Sequence, residues 1–162
     1  MDNMALMNEQ HLLRALLENS PDYIFFKDRQ SRFVLTNDAH ARLLMGLDNA
    51  QEAIGKTDFD LFKPEEAQRF YDEEQRIMEA GQPVIAREWS LTSSTTGQGV
   101  WLSEHKVPIR DETGQVTGLL GLSRDVTQLK QSEAERERLL TIVGRRNVQL
   151  QIAADVSIVA SS

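Results

Sequence analysis

Three strand-like runs in the second half of the chain, residues 84–91, 100–109 and 116–123, constrain the fold more than any other feature. The polar stretch 92–99 joins the first two. Asp111-Glu112-Thr113-Gly114, a turn with glycine where positive φ is needed, joins the second and third. Links this short connect antiparallel neighbours, because parallel strands need a long crossover. Earlier in the chain, Tyr23-Ile24-Phe25-Phe26 and Arg32-Phe33-Val34-Leu35 flank Asp28-Arg29-Gln30-Ser31, a further hairpin signal. These runs predict five strands in an antiparallel sheet.

Helical spacing fills the gaps. Leu6, Leu13 and Leu17 share one face of a helix over residues 4–18, which stops at Asn19-Ser20-Pro21. Asn37 is a good N-cap for a helix whose face carries His40, Leu43, Leu44 and Leu47, with Gly46 closing it. Asp48 and Gln51 have capping-box spacing for a second short helix that Gly55 ends. Residues 64–80 read as the clearest helix: Pro64 suits the first turn, and Ala67, Phe70, Tyr71, Ile77 and Met78 line one face. From Thr127 the chain turns helical and highly charged. Counted in heptads from Val126, five of eight a/d positions are apolar, Leu129, Leu140, Val143 and Leu150 among them. That is a weak coiled-coil seam, which one helix cannot bury alone.

The class expected is therefore α+β. An N-terminal flanking helix (1–19) precedes a core of sheet and helices (20–127). A C-terminal helix and linker (128–162) follows, still helically spaced at its end, and reads as leading into a further module.

Composition narrows the function. A formal net charge of −7 opposes nucleic acid and anionic membrane surfaces by long-range repulsion, so neither is expected as a partner. The absence of cysteine removes disulfides, thiolate ligands and thiol nucleophiles. No apolar run nears the roughly 20 residues that span a bilayer, and no signal-peptide pattern opens the chain, so the cytoplasm is expected. Asp58 and Asp60, flanking Phe59 at a helix entry, read as capping groups and not as a metal pair. No catalytic or metal-binding residue is expected.

Several local motifs, in order, carry a resemblance to a known family. Residues 19–28 resemble the opening strand of the PAS fold. Gly55-Lys-Thr-Asp-Phe-Asp-Leu-Phe62 is similar to the segment entering its long helix, and Met78-Glu-Ala-Gly-Gln-Pro-Val84 to that helix's exit. Trp101, Lys106-Val-Pro-Ile-Arg-Asp111, Gly114, Gly118 and Gly121 resemble its last hairpin. Arg124-Asp-Val-Thr127 resembles the junction between a PAS core and its output helix. The likeness covers roughly residues 10–135. Two features depart from the pattern: Gln30-Ser31 stands where the first hairpin often has glycine, and Gln128-Leu129-Lys130 follows the junction.

The resemblance implies a sensory module of a receptor, with a small-molecule cavity between sheet and helices. Candidate lining residues are Phe26, Phe59, Phe62, Phe70, Trp89 and Trp101, with His40 and His105. The alternative is that these side chains simply fill the core of a ligand-free dimerisation or spacer module. Haem is not expected, because residues 64–80 offer no axial histidine, and covalent flavin is excluded for want of cysteine. No other cofactor is indicated. Lys27, Glu88 and Lys106 are charges inside strand-like runs. Glu88 and Lys106 are expected to pair across the last hairpins, and a buried lysine would suit an anionic ligand. Asp125 and Thr127 are the candidate relay, an acid accepting main-chain bonds and a hydroxyl capping the outgoing helix. A homodimer through Leu13, Leu17, Leu129, Leu140 and Val143 is expected. The resemblance further implies a downstream output domain, first a histidine kinase, otherwise a cyclic-dinucleotide enzyme or a transcription factor.

Overall fold

A computed structural model describes residues 8–93 and 96–160. Leu6, the middle of the 92–99 loop and the last two residues lie outside the described part. Strands β1 (Tyr23–Asp28), β2 (Phe33–Thr36), β3 (Val84–Thr92), β4 (Gly99–Arg110) and β5 (Val116–Asp125) form one sheet in the order β2-β1-β5-β4-β3. Every neighbouring pair is antiparallel, as expected. The two hairpin groups meet where β5 lies beside β1, with Phe25 opposite Gly121 and Asp28 opposite Gly118. A Cβ on Gly118 would lie 2.4 Å from the Lys27 carbonyl oxygen, so close strand approach requires glycine there.

The β1–β2 turn explains the missing glycine. Ser31 itself takes the left-handed conformation at φ 57°, and Gln75 donates to its Oγ at 3.1 Å. Asp28 Oδ1 accepts from the backbone N–H of Gln30 and Arg32, which closes the turn.

Helix α1 (Glu9–Asn19) is capped by Asn8 and buries none of its residues. Asn37 caps α2 (Asp38–His40), which runs into a π-helical turn, Ala41–Met45, closed by Gly46 at φ 70°. The i→i+5 turn shifts the facing set by one residue. His40, Ala41, Leu44 and Met45 are buried while Leu43 turns outward, unlike the regular face expected. The next short turn, Ala50–Ala53, is capped by Asn49 and not by Asp48. Thr57 and Asp60 form a capping box on α3 (Asp58–Leu61), and α4 (Pro64–Ala80) ends at Gly81 with φ 64°. Helix α4 buries Ala67, Ile77 and Met78, but also Glu74. The main core joins Phe25, Phe33, Met45, Ala53, Ile77, Met78, Val116 and Leu119.

The compact unit ends at Asp125, and a second unit begins at Val126. It consists of α5 (Thr127–Ala160), along which Leu129, Leu139, Leu140, Ile142, Val143, Leu150 and Val156 are all at least half exposed. No described helix is long and apolar enough to cross a membrane.

Candidate functional site

Strand alternation decides what the sheet presents to its helices. On β1, Tyr23, Phe25 and Lys27 share the inward face, and on β4 Leu102, Glu104 and Lys106 do. Of these, Phe25, Lys27, Leu102, Glu104 and Lys106, with Phe33, His40, Leu44, Asp58, Phe62, Phe70, Trp89, Leu91 and Ser123, line a cavity of about 40 Å³. That volume has room for one to three waters.

Two buried ion-pair groups bound it. Lys27 Nζ donates to Asp58 Oδ2 at 2.5 Å and to Glu74 Oε1 at 2.7 Å, and all three side chains are almost wholly removed from water. The same ammonium lies 4.4 Å from the Phe33 ring centroid. Lys106 Nζ donates to Glu73 Oε2 at 2.8 Å and stands 3.6 Å from Glu104 Oε1. Arg87 closes this second group by pairing with both Glu73 and Glu104. Burial pushes the Asp58 carboxyl above its ordinary value; the Lys27 ammonium opposes that rise and the Glu74 carboxylate adds to it.

His40 is neutral. Burial, then the charges of Lys27 and Lys106, lower its pKa to about 3. Thr36 Oγ1 donates to the Ile24 carbonyl, so its contact with His40 Nδ1 at 2.9 Å is an N–H donated by the imidazole. Nε2 is therefore left as an acceptor, and the His40 side chain makes no second hydrogen bond among the described residues. Trp89 Nε1 is buried without a partner among them, as is Glu74 Oε2.

The expected lining residues divide. His40, Phe62, Phe70 and Trp89 line the cavity. Phe26, Trp101 and His105 do not: each sits at the opposite parity of its strand, facing the outer side of the sheet. Phe59 is half exposed and packs on Tyr71. Glu88 does not pair with Lys106, because Glu88 stands opposite Ser103 and Lys106 opposite Val84. Asp60 caps Thr57 as read, whereas Asp58 is spent on Lys27. Leu13 and Leu17 line an open groove between α1 and the edge strand β2, with Val34 and Ile54 on its far side. Asp125 is the last residue of β5 and Thr127 the first of α5.

Sequence reasoning missed Asp58, Glu73, Glu74 and Glu104 as inward groups. One signal was available: Glu74 lies four residues after Phe70 and three before Ile77, on the apolar face of α4. The clamp in which Arg124 Nε and Nη2 donate to the two carboxylate oxygens of Asp22, at 2.9 and 2.8 Å, had no local signal. It fastens the start of β1 to the end of β5 and holds the Asp22 carboxyl below its ordinary range.

A family model described as the PAS fold matches residues 17–131. This chain belongs to the PAS family. The methanogenesis regulatory histidine kinase FilI of Methanothrix harundinacea is 31% identical over 95% of this PAS chain, which spans 17% of FilI. The aerobic respiration control sensor protein ArcB of Escherichia coli is 26% identical over 80% of it, and there the chain spans 16% of the relative. The chain thus spans less than a fifth of either protein. Among solved structures, the VqmA dimer of Vibrio cholerae shares the fold with TM-score 0.64 and 28% identity, covering 73% of this chain and 52% of that one.

One expectation is corrected by these comparisons. A net charge of −7 predicts that such a chain avoids nucleic acid, yet VqmA has also been solved as a complex with a ligand and DNA, at 27% identity and TM-score 0.64 over 76% of this chain and 53% of VqmA. The charge of one PAS module does not determine what the rest of its receptor binds, because repulsion acts locally within a Debye length of about 8 Å.

Proposed function

We propose that this chain is the sensory module of a larger signal-transduction receptor, a histidine kinase of a two-component system, located in the cytoplasm and non-catalytic itself. The observation that carries this reading is the cavity, an aromatic chamber with ready-made polar functions in its wall. Its relatives FilI, a histidine kinase, and ArcB, a sensor protein, support the kinase output, and the VqmA–ligand–DNA complex supports a ligand in this fold. Strand β5 lends Ser123 to the cavity wall, and Val126 alone separates Asp125 from Thr127. A ligand that moves β5 passes that movement along the chain through Asp125 and Thr127 into α5. Two copies pairing through Leu13, Leu17, Leu129, Leu140 and Val143 bury side chains of which each copy leaves all but the half-buried Leu17 exposed.

A chain without cysteine allows a direct test. A single Gln131→Cys variant carrying a spin label gives one distance between the α5 helices of a dimer. The relay reading expects that distance to change when a ligand saturates the cavity. A distribution unmoved by a bound ligand rejects the relay. The small volume of the cavity favours a second reading, a ligand-free dimerisation and spacer module, for which no ligand of any class would be found.

A further inference from the structure

We infer that the cavity selects a small, neutral, planar molecule carrying both a hydrogen-bond donor and an acceptor, held by His40 Nε2 and Trp89 Nε1. The inference rests on the ligand-binding reading above and adds the class of ligand.

Charge is the first argument. Each ammonium in the cavity wall already faces two carboxylates: Lys27 has Asp58 and Glu74, and Lys106 has Glu73 and Glu104. An anion entering the chamber would find both wall ammoniums already paired, Arg87 sharing the second group, and would approach the wall carboxylates of Asp58 and Glu104. A cation would meet two buried ammoniums. Neither would recover the several kcal/mol that desolvating an ion costs. A neutral molecule avoids that cost.

Hydrogen bonding is the second argument. Trp89 Nε1 is a buried donor without an acceptor, and the His40 Nδ1 contact leaves Nε2 of that ring as an acceptor. A ligand that accepts from Trp89 Nε1 satisfies a buried group whose orphaned state disfavours the empty cavity, and one that also donates to Nε2 adds a second bond.

Shape is the third. Beside Leu44, Leu91 and Leu102, the rings of Phe25, Phe33, Phe62 and Phe70 line the chamber and favour a flat partner, and about 40 Å³ limits it to a few non-hydrogen atoms unless a ring swings out. A carboxamide is the simplest chemistry that meets all three conditions.

The test titrates the ¹⁵N-labelled chain with four small probes: acetamide, acetate, methylammonium and benzene. The Trp89 indole N–H resonance, assigned by its loss in Trp89→Phe, is expected to move downfield and saturate with acetamide alone. The Trp101 indole, on the outer face of the sheet, serves as the control. Trp89→Phe is expected to weaken acetamide binding about three- to tenfold, read on core resonances, the value of one hydrogen bond. Its thermal midpoint shows whether the fold is intact, and a variant that does not fold is replaced by His40→Gln in the same titration. Saturation by acetate, methylammonium or benzene at equal or lower concentration overturns the neutral donor–acceptor class while leaving a ligand site in place. Acetamide binding unchanged in a folded variant also overturns it. Core resonances that saturate with none of the four overturn both this inference and the ligand-binding reading.

Discussion

The ammonium of Lys27, on the central side of the first hairpin, sits 2.5 Å from a carboxylate oxygen of Asp58, at the start of α3, and both side chains are almost wholly buried. This contact ties the sheet to the helical layer with charge in a place where apolar packing would normally serve. Breaking one partner of such a pair leaves uncompensated charge behind. Lys27→Met should cost about 3–5 kcal/mol in urea-unfolding free energy. Adding Asp58→Leu and Glu74→Met should return most of that loss, because an apolar trio of similar volume needs no counter-charge. A triple variant as unstable as the single one would show that these ions contribute something packing cannot replace.

His40 predicts a specific acid sensitivity. Its folded pKa, about 3, lies below the value of 6.5 for a free histidine, so the unfolded chain takes up a proton there that the folded chain refuses. The stability contributed by the neutral imidazole is complete above pH 6.5 and is lost as the pH falls toward 3, at about 1.4 kcal/mol per pH unit. His40→Gln should lack this slope. Unfolding free energies of the two proteins, measured from pH 7.5 down, should converge on acidification at about that rate. Parallel curves would contradict the assignment.

Gly121 and Gly118 should be intolerant of a methyl group for different reasons. A Cβ at 121 would lie 1.9 Å from the Phe25 ring, and one at 118 would meet the Lys27 carbonyl. Gly121→Ala is expected to cost about 1–3 kcal/mol and to push the Phe25 ring into the cavity, abolishing any ligand-induced thermal shift. Gly118→Ala should destabilise more, since a backbone carbonyl cannot swing aside as a ring can.

Ala86 holds a left-handed conformation, φ 50°, at the bulge where β3 shifts register against β4, and its side chain is exposed. Ala86→Gly should therefore raise stability by about 1 kcal/mol, checked by chemical denaturation. Ser31→Gly should gain less despite a similar φ of 57°, because it forfeits the bond from Gln75.

The exposed stripe of α5 makes a prediction about association. Leu140→Glu with Val143→Glu should convert a dimer to a monomer in sedimentation velocity, with the sheet unchanged by circular dichroism. An unaltered sedimentation coefficient would remove α5 from the interface.

The comparison of sequence with structure turns on parity. Phe70 and Trp89 reached the cavity, whereas Phe26, Trp101 and His105 face the other way. All five are plausible inward groups by residue type. A strand has only two faces, and on β4 the alternation offers Trp101 and His105 on one side and Leu102, Glu104 and Lys106 on the other. Local hydropathy favours the first set for the interior. The second was chosen because Glu73 on α4 and Arg87 on β3 supply the counter-charges, and those partners lie 17 to 33 residues away in the chain. Similarly, the π-helical turn moved Leu43 outward, and no heptad or 3.6-residue pattern announces a turn of that kind.

The strands, the turns, the span of α4 and the Asn37 cap were written locally, in alternation, glycine placement and side-chain chemistry that act over a few residues. The tertiary structure alone decided which face of each strand became the interior, that Lys27 and Lys106 would be buried among carboxylates, and that His40 and Trp89 would each be left with an unused hydrogen-bonding function. The reason is physical: a buried charge is tolerable only beside its partner, and which partner arrives depends on contacts between segments far apart in the chain.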